Sequence, residues 1–402
     1  MRIGLLKETK FPVDNRVALS PKQAAELMSL FPGTEIVAQS SDIRAFADEE
    51  YLAEGVSVVN DLSNCDILLG IKEARIDTLI PNKKYVFFGH FAKKQEYNRS
   101  LLQALIKNHN TFLDYEYMVD EKGNRVCAFG WWAGAVGVYY SLCGYGLKTK
   151  LFNLPRPDKT FTLEQLKENL RSIQLPKIKI LLTGAGRVSH GAQAVLKDIG
   201  AQFLPVASFL NADAVDSLSY TVVDVDELVI PNDGSRSFSF RYFTQHPEEY
   251  SSNFIRFAQS ADLLICCHFW APGNPVYLSA EDFLRPGFRI KLIGDVTCDI
   301  MGSVKSTIRS STHDNPFYDY NPVTRREEDA FSSDGNITVM AVDTCPNALA
   351  LDTSVYFGEM LMRHVFPPLI LGDESSVIAG ATILQNGFLT PKYAYLESFA
   401  KG

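Results

Sequence analysis

A chain of 402 residues has length for about two domains, each with its own core. Hydrophobic residues make up 46% and charged residues 21%, the balance of an ordinary globular fold, and the formal charge of −8 argues against nucleic acid or an anionic membrane as the main partner. No run of about 18 apolar residues occurs, MRIGLLKETK has too little apolar length for a signal peptide, and the cysteines at 65, 127, 143, 266, 267, 298 and 345 include no C-x-x-C pair, so a reduced, cytoplasmic protein is expected.

The first segment alternates short apolar runs with helical patterns. Arg2 to Leu6, Thr34 to Ala38, Ile67 to Ile71, Tyr85 to Phe88 and Thr111 to Tyr115 read as strands, and Pro21 to Leu30, Asp48 to Gly55 and Gln95 to Lys107 as helices. Such alternation predicts a largely parallel sheet covered on both faces. A long helical pattern from about Trp132 to Gly146 leads into a second series, whose later strands are expected at Leu263 to Cys267, Lys291 to Asp295 and Thr338 to Asp343, with a β-rich excursion around Ser237 to Phe243. Another long helical pattern runs from about Ala348 to Val365, and the chain returns with Ala379 to Gln385 and Pro391 to Phe399.

The second series opens with KIKILLTGAGRVSHGAQAVLKDIGAQFLPV, from Lys177 to Val206. Here a strand-like run, Ile178 to Leu182, breaks into Gly184, Gly186 and Gly191 before residues at helical spacing. Strand, glycine turn and helix together are the setting of a dinucleotide: without Cβ atoms a pyrophosphate can approach the main chain, and the helix N-terminus offers it N–H groups. The third glycine falls two places later than in G-x-G-x-x-G, so a turn that only packs a helix on a sheet is the competing reading. Cys266, Cys267 and His268 are the one cluster suggestive of a metal, but adjacent cysteines on a strand point to opposite faces, so no metal site is expected. The long helical joins suggest that a dinucleotide domain, 139 to 347, is inserted into a substrate domain, 1 to 138 with 348 to 402, with a cleft between the strand ends of the two.

The acid that usually binds the ribose 2′-hydroxyl lies about 20 positions past the glycines. Leu204 to Ser208 holds no carboxylate. The expectation is weak discrimination between NAD and NADP, with Ser208 and Arg187 available to a 2′-phosphate.

The opening KETKFPVDNRVALSP is similar to that of alanine dehydrogenase, the transhydrogenase α subunit and saccharopine dehydrogenase. GIKE, FFGHFAKKQEYNRSLLQALI, DYEYMVDEKGNRVCAFGWWAGAVG, RYFTQHPEEYSSNF, GDVTCDIMGSVKSTIRSSTHDNPFYDY and AVDTCPNALALDTSVYFGEML narrow the match. They resemble the lysine-forming saccharopine dehydrogenases, and especially the lysine–ketoglutarate reductase domain of the bifunctional lysine-degrading enzyme. The resemblance implies two Rossmann-like domains and an enzyme, monomeric or homodimeric, that interconverts saccharopine with L-lysine and 2-oxoglutarate through an imine and NAD or NADP. It implies Lys72 and His90 as the acid–base pair, and Arg16, Lys93 and Arg125 as cations for substrate carboxylates, with Glu73 and Glu116 tuning them. Gly184, Gly186, Arg187, Val188, Gly191, Ser208, His268, Asp299 and Asp343 are the implied cofactor residues. An alanine dehydrogenase-like enzyme and a non-catalytic NAD(P)-binding regulator are the alternatives.

Overall fold

The computed structural model describes residues 1–234, 237–372 and 376–402, and in it the chain divides into two units. One is Met1–Phe129 with Leu349–Gly402, the other Gly130–Ala348. The helix Gly130–Thr149, which the sequence reading cuts at 138, goes whole with the second unit.

In the first unit an eight-stranded sheet runs in the order Phe388–Leu389, Thr382–Gln385, Thr111–Asp114, Lys84–Phe87, Ile67–Leu69, Arg2–Leu5, Glu35–Gln39, Ser57–Val59. The six N-terminal strands are parallel, and the two C-terminal ones add an antiparallel edge. Chain order reverses about Arg2–Leu5, whose neighbours are Glu35–Gln39 and Ile67–Leu69, so the crevice beyond these carboxyl ends is the natural ligand position of the sheet. Helix Pro21–Leu30 starts where the sequence requires, because Ser20 and Gln23 form a capping box and Pro21 takes the first turn, where no N–H is missed. Its buried Ala24 and Leu27 share a core with Phe357 and Leu361 of the C-terminal helix Ala350–His364. Hydrogen bonds from Val17 N to Ser354 Oγ (2.9 Å) and from Gln23 Nε2 to the Val355 carbonyl (2.7 Å) fix that helix over the N-terminal segment.

The second unit holds another eight-stranded sheet, in the order Arg326–Glu328, Phe317–Asn321, Ile337–Met340, Leu292–Asp295, Leu263–Cys266, Lys179–Thr183, Ser219–Val223, Gln202–Phe203. Two features depart from the sequence reading. The stretch around Ser237 to Phe243 is not β-rich: Ser239 caps a helix, Phe240–Gln245, and the local β structure is the flanking pair Val229–Pro231 and Tyr250–Ser252. Aromatic side chains at 238, 240, 242 and 243 give that stretch strand-like composition, but Phe243 anchors a helical turn on Phe238 and Tyr250. Secondly, the strand beside Lys179–Thr183 is not the next in the chain. Ser219–Val223 fills that place, and Gln202–Phe203 is displaced to the edge.

Helix Arg187–Asp198, which follows the glycine turn, crosses helix Gly130–Thr149 at backbone contact. A Cβ on Gly191 would lie 1.8 Å from the Trp131 carbonyl oxygen, and one on Gly134 1.8 Å from that of Val188. Among the described residues no helix is long and apolar enough to cross a membrane.

Candidate functional site

The chemistry of the first unit gathers at the carboxyl ends of four adjacent strands. Beyond Arg2–Leu5 comes Glu8, whose buried carboxyl accepts from the backbone N–H of Ile71 (2.6 Å) and Lys72 (2.9 Å) at the end of the neighbouring strand. Burial and the charge of Asp14 push Glu8 up to about 8, against those two N–H groups and Arg16, which favour its anion. Asp14 is itself buried and clamps Arg16 in a fork, from Nε to Oδ1 at 2.9 Å and from Nη2 to Oδ2 at 2.6 Å. Burial opposes ionisation of Asp14, but Arg16 and then Lys72 hold its pKa below the usual range. The Arg16 guanidinium also stacks on the Phe129 ring, 4.3 Å from its centroid.

Lys72 follows strand Ile67–Leu69 and is half-buried. Glu73 is buried, with Oε2 held by Lys10 Nζ at 2.6 Å. Glu8, Thr9, Gln39, Lys72, Glu73 and Ile80 are among the walls of a cavity of about 210 Å³ in the switch-point crevice. The adjacent strand Lys84–Phe87 continues its ladder one step further, Phe88 N donating to the Ile71 carbonyl at 3.1 Å, and then delivers His90 in a left-handed conformation (φ 55°). That bend is held by Asp114, whose Oδ2 accepts from His90 N (3.0 Å) and Gly89 N (3.2 Å) and whose Oδ1 accepts from Glu116 N (2.9 Å). Burial pushes Asp114 up to about 6 in spite of these donors.

Glu116 completes the row. Its Oε2 meets His90 Nδ1 at 2.9 Å, while Oε1 takes Lys93 Nζ at 2.8 Å and Arg125 Nη2. The carboxylate is buried, which alone would raise its pKa, but these three partners bring it down to about 2. Ionised Glu116 therefore fixes the proton of His90 on Nδ1, and Nε2 is the nitrogen left for a ligand. Lys93 and Arg125 remain about half exposed beside it.

Lys72, Glu73, His90, Lys93, Glu116, Arg125 and Arg16 thus all stand in the first unit, in two linked clusters. Sequence reasoning passed over Glu8, Asp14 and Asp114. All three lie within the segments quoted for the resemblance, and Glu8 and Asp114 stand at or just past apolar strand runs, a position that would have flagged them.

In the second unit, Gly184 takes φ +83°, and a Cβ there would sit 2.7 Å from His268 Cα. Its N–H donates to the Val223 carbonyl at 2.7 Å. Gly186 is the N-cap of the 12-residue helix Arg187–Asp198 with no side-chain cap, and the space where its Cβ would be is open. An open glycine at an uncapped helix start has the shape that the pyrophosphate of a dinucleotide requires. Gly191 faces the Trp131 carbonyl and sets the helix crossing, and Ser189 is buried. The His268 ring is spent between Thr183 Oγ1 (2.6 Å) and Ser303 Oγ (2.8 Å), and burial lowers its pKa to about 4, so it is neutral at pH 7. Asp299 and Asp343 lie on the loops after strands Leu292–Asp295 and Ile337–Met340, whereas Ser208 lies in the helix Val206–Asn211 beyond the edge strand.

Residues 4–136 match the alanine dehydrogenase/PNT N-terminal domain. Alpha-aminoadipic semialdehyde synthase of Arabidopsis thaliana is 28% identical over 99% of this chain, which spans 41% of the plant protein's length. Saccharopine dehydrogenase [NAD(+), L-lysine-forming] of Emericella nidulans is 24% identical, with 90% of each chain covered. Among solved structures, an L-alanine dehydrogenase superposes with a TM-score of 0.66 at 19% identity, covering 98% of this chain and 99% of the other, so the two share a fold.

Proposed function

We propose that this homologue of the lysine-forming saccharopine dehydrogenases and aminoadipic semialdehyde synthases joins L-lysine to 2-oxoglutarate, or cleaves saccharopine into them. The coarse class, an amino-acid dehydrogenase-type oxidoreductase with a nicotinamide cofactor, rests on those relatives. One observation favours the finer reading: His90, with its Nδ1 pinned by an ionised carboxylate, stands beyond one strand while Lys72 stands beyond the next.

Forming the secondary amine requires the lysine ε-amine to add to the ketone, water to leave, and the resulting imine to be reduced. The bound nicotinamide supplies the hydride. The chain's own groups handle protons and charge. Lys72 and the Nε2 of His90 are the exchangeable positions that protonate the departing hydroxyl, so that it leaves as water, and return a proton to the product nitrogen. Saccharopine carries three carboxylates, and Arg125, Lys93 and the Nη1 corner of Arg16 are the donors that would receive them. Arg16 has committed its Nε and Nη2 to Asp14, so it acts as an oriented corner and not as a full fork. Glu8 positions Lys72 by gripping its backbone N–H.

The test is turnover by the purified chain. NADH and NADPH oxidation should require both lysine and 2-oxoglutarate, and saccharopine should drive the reverse. Oxidation driven by pyruvate and ammonia would replace this reading with the alanine dehydrogenase one, and no turnover with any of these pairs would leave only cofactor binding.

A further inference from the structure

Strand Leu292–Asp295 ends in a carboxylate that the chemistry described so far does not use. Asp295 is buried, with 1% exposure, and its partners among the described residues are hydroxyl and backbone N–H groups, not cations. Burial pushes its pKa up, against the donors of Thr297 and Thr307. A buried carboxylate whose desolvation no counter-charge offsets is a costly way to stabilise a fold. Its value lies in what it orients.

We propose that Asp295 is a positioning residue: through Thr297 and Thr307 it closes the loop 296–307 and presents Asp299, within that loop, to the dinucleotide. This inference rests on the reading that the second unit binds a nicotinamide dinucleotide with Asp299 among its contacts.

Both ends of the loop are tied to this one side chain. Oδ1 accepts from Thr297 N at 3.0 Å and from Thr297 Oγ1 at 2.6 Å, and Oδ2 accepts from Thr307 Oγ1 at 2.6 Å. The Thr297 hydroxyl has a single proton. Giving it to Asp295 leaves that oxygen as an acceptor, and Asp299 N donates to it at 3.2 Å. Asp295 thus fixes the direction of a two-step relay that ends on the main chain of Asp299. On the other side, Gly302 N donates to the Asp299 carbonyl at 2.9 Å and Met301 N to that of Thr307 at 2.8 Å. A Cβ on Gly302 would lie 2.7 Å from Asp299 Cβ, so the chain folds closely onto this residue. Cys298 and Met301, on either side of it, take left-handed backbone with φ 54° and 53°, a conformation uncommon outside glycine. A turn wound in that way is held by its ties and not by local preference, and such strain gathers where a side chain must be presented.

Binding of NADH and NADPH to the full chain, followed by quenching of protein fluorescence, tests this without turnover, with the tighter of the two as probe. Asp299→Ala should weaken the probe about tenfold, the scale of one charge-assisted hydrogen bond. Thr297→Val removes the relay hydroxyl at nearly constant size and should weaken it about fivefold, while Thr297→Ser, which keeps the hydroxyl, should stay within about twofold of wild type. Asp295→Asn turns one acceptor into a donor and should also cost about fivefold; if that variant does not fold, the Thr297 pair decides. The distinguishing measurement is made in the Asp299→Ala background. There Thr297→Val and Asp295→Asn should add less than about twofold, because their effect passes through the missing carboxylate. Losses that multiply in the double variants, wild-type affinity in Thr297→Val, or wild-type affinity in Asp299→Ala would each overturn the assignment while leaving the reaction standing. If neither dinucleotide binds the wild-type chain, both fall. Binding without turnover of lysine and 2-oxoglutarate would remove the reaction alone, and the affinities would still decide the role of Asp295.

Discussion

Acidification from pH 7 to pH 5 should cost the second unit about 2 kcal/mol through one side chain, His268. Its imidazole is closed between Thr183 Oγ1 and Ser303 Oγ, and burial holds its pKa near 4 where an unfolded chain has about 6.5. The sign follows from proton binding: between those values the unfolded state takes up a proton and the native state does not, so stability falls as pH falls from about 6.5 towards 4. At pH 5 the unfolded histidine is about 1.5 pH units below its pKa, worth about 2 kcal/mol at 1.36 kcal/mol per unit, and the native ring is still almost wholly neutral. His268→Asn keeps a polar group against Thr183 and should cost about 1–3 kcal/mol at pH 7 for the lost Ser303 contact. Its pH dependence between 7 and 5 should be shallower than wild type by roughly the full 2 kcal/mol. Urea unfolding followed by tryptophan fluorescence is the suitable assay, because Trp131, Trp132 and Trp270, all of the tryptophans, lie in the second unit. Carboxylates that titrate elsewhere cancel in the comparison. Equal slopes for the two proteins would refute the account of a neutral, closed histidine.

Other perturbations follow from the same geometry. Gly191→Ala drives a Cβ against the Trp131 carbonyl, and since the obstacle is main chain the helices must separate, at about 3 kcal/mol; tryptophan-monitored unfolding within about 0.5 kcal/mol of wild type would show the contact to be absent. Glu116→Gln frees the cations that Glu116 gathers, so turnover should drop by about tenfold or more with dinucleotide affinity unchanged. The depressed pKa of Glu116 gives stability that is present above its unfolded value of about 4.5 and lost as pH falls towards about 2, and the Gln variant should lack that step in acid titrations of stability. Lys72→Met should reduce turnover by about tenfold or more while dinucleotide affinity stays within about twofold, and equal loss of both would return Lys72 to a structural role. Arg16→Ala leaves Asp14 buried without its partner and should cost about 3–5 kcal/mol in unfolding experiments, whereas Arg16→Lys keeps the charge and should mainly raise the KM for 2-oxoglutarate.

Much of the fold was legible because its signals are local. Apolar runs such as those holding Ile3, Ile36 with Val37, and Ile67 to Leu69 announce buried strands, Ser20 with Gln23 announces a helix start, and the break from Leu182 into Gly184 announces the turn. What stayed hidden is non-local. The run SYTVV at 219 to 223 is strand-like, yet nothing in it says that it will slip between Lys179–Thr183 and the strand that precedes it in the chain. In the first unit the sequence displays Lys10, Glu8 and Asp14 as one charged, solvated stretch, whereas folding buries Glu8 and Asp14 beside Ile71 and Arg16. Spacing cannot show burial of a carboxylate such as Glu8, because its cover comes from residues more than sixty places away.

The crossing of helices Gly130–Thr149 and Arg187–Asp198 has a consequence for how the second unit tolerates change. Where Gly134 meets the Val188 carbonyl and Gly191 meets that of Trp131, the touching atoms are peptide groups, and no rotamer is frozen when they come together. The usual route by which cores absorb substitution, a neighbouring side chain swinging into another well, is closed at these two points. Relief can come only from sliding one helix along the other, which would carry the uncapped start at Gly186 with it. The uncapped end of the glycine turn is thereby indexed to a helix lying outside the sheet, and drift in that helix reaches the turn undamped.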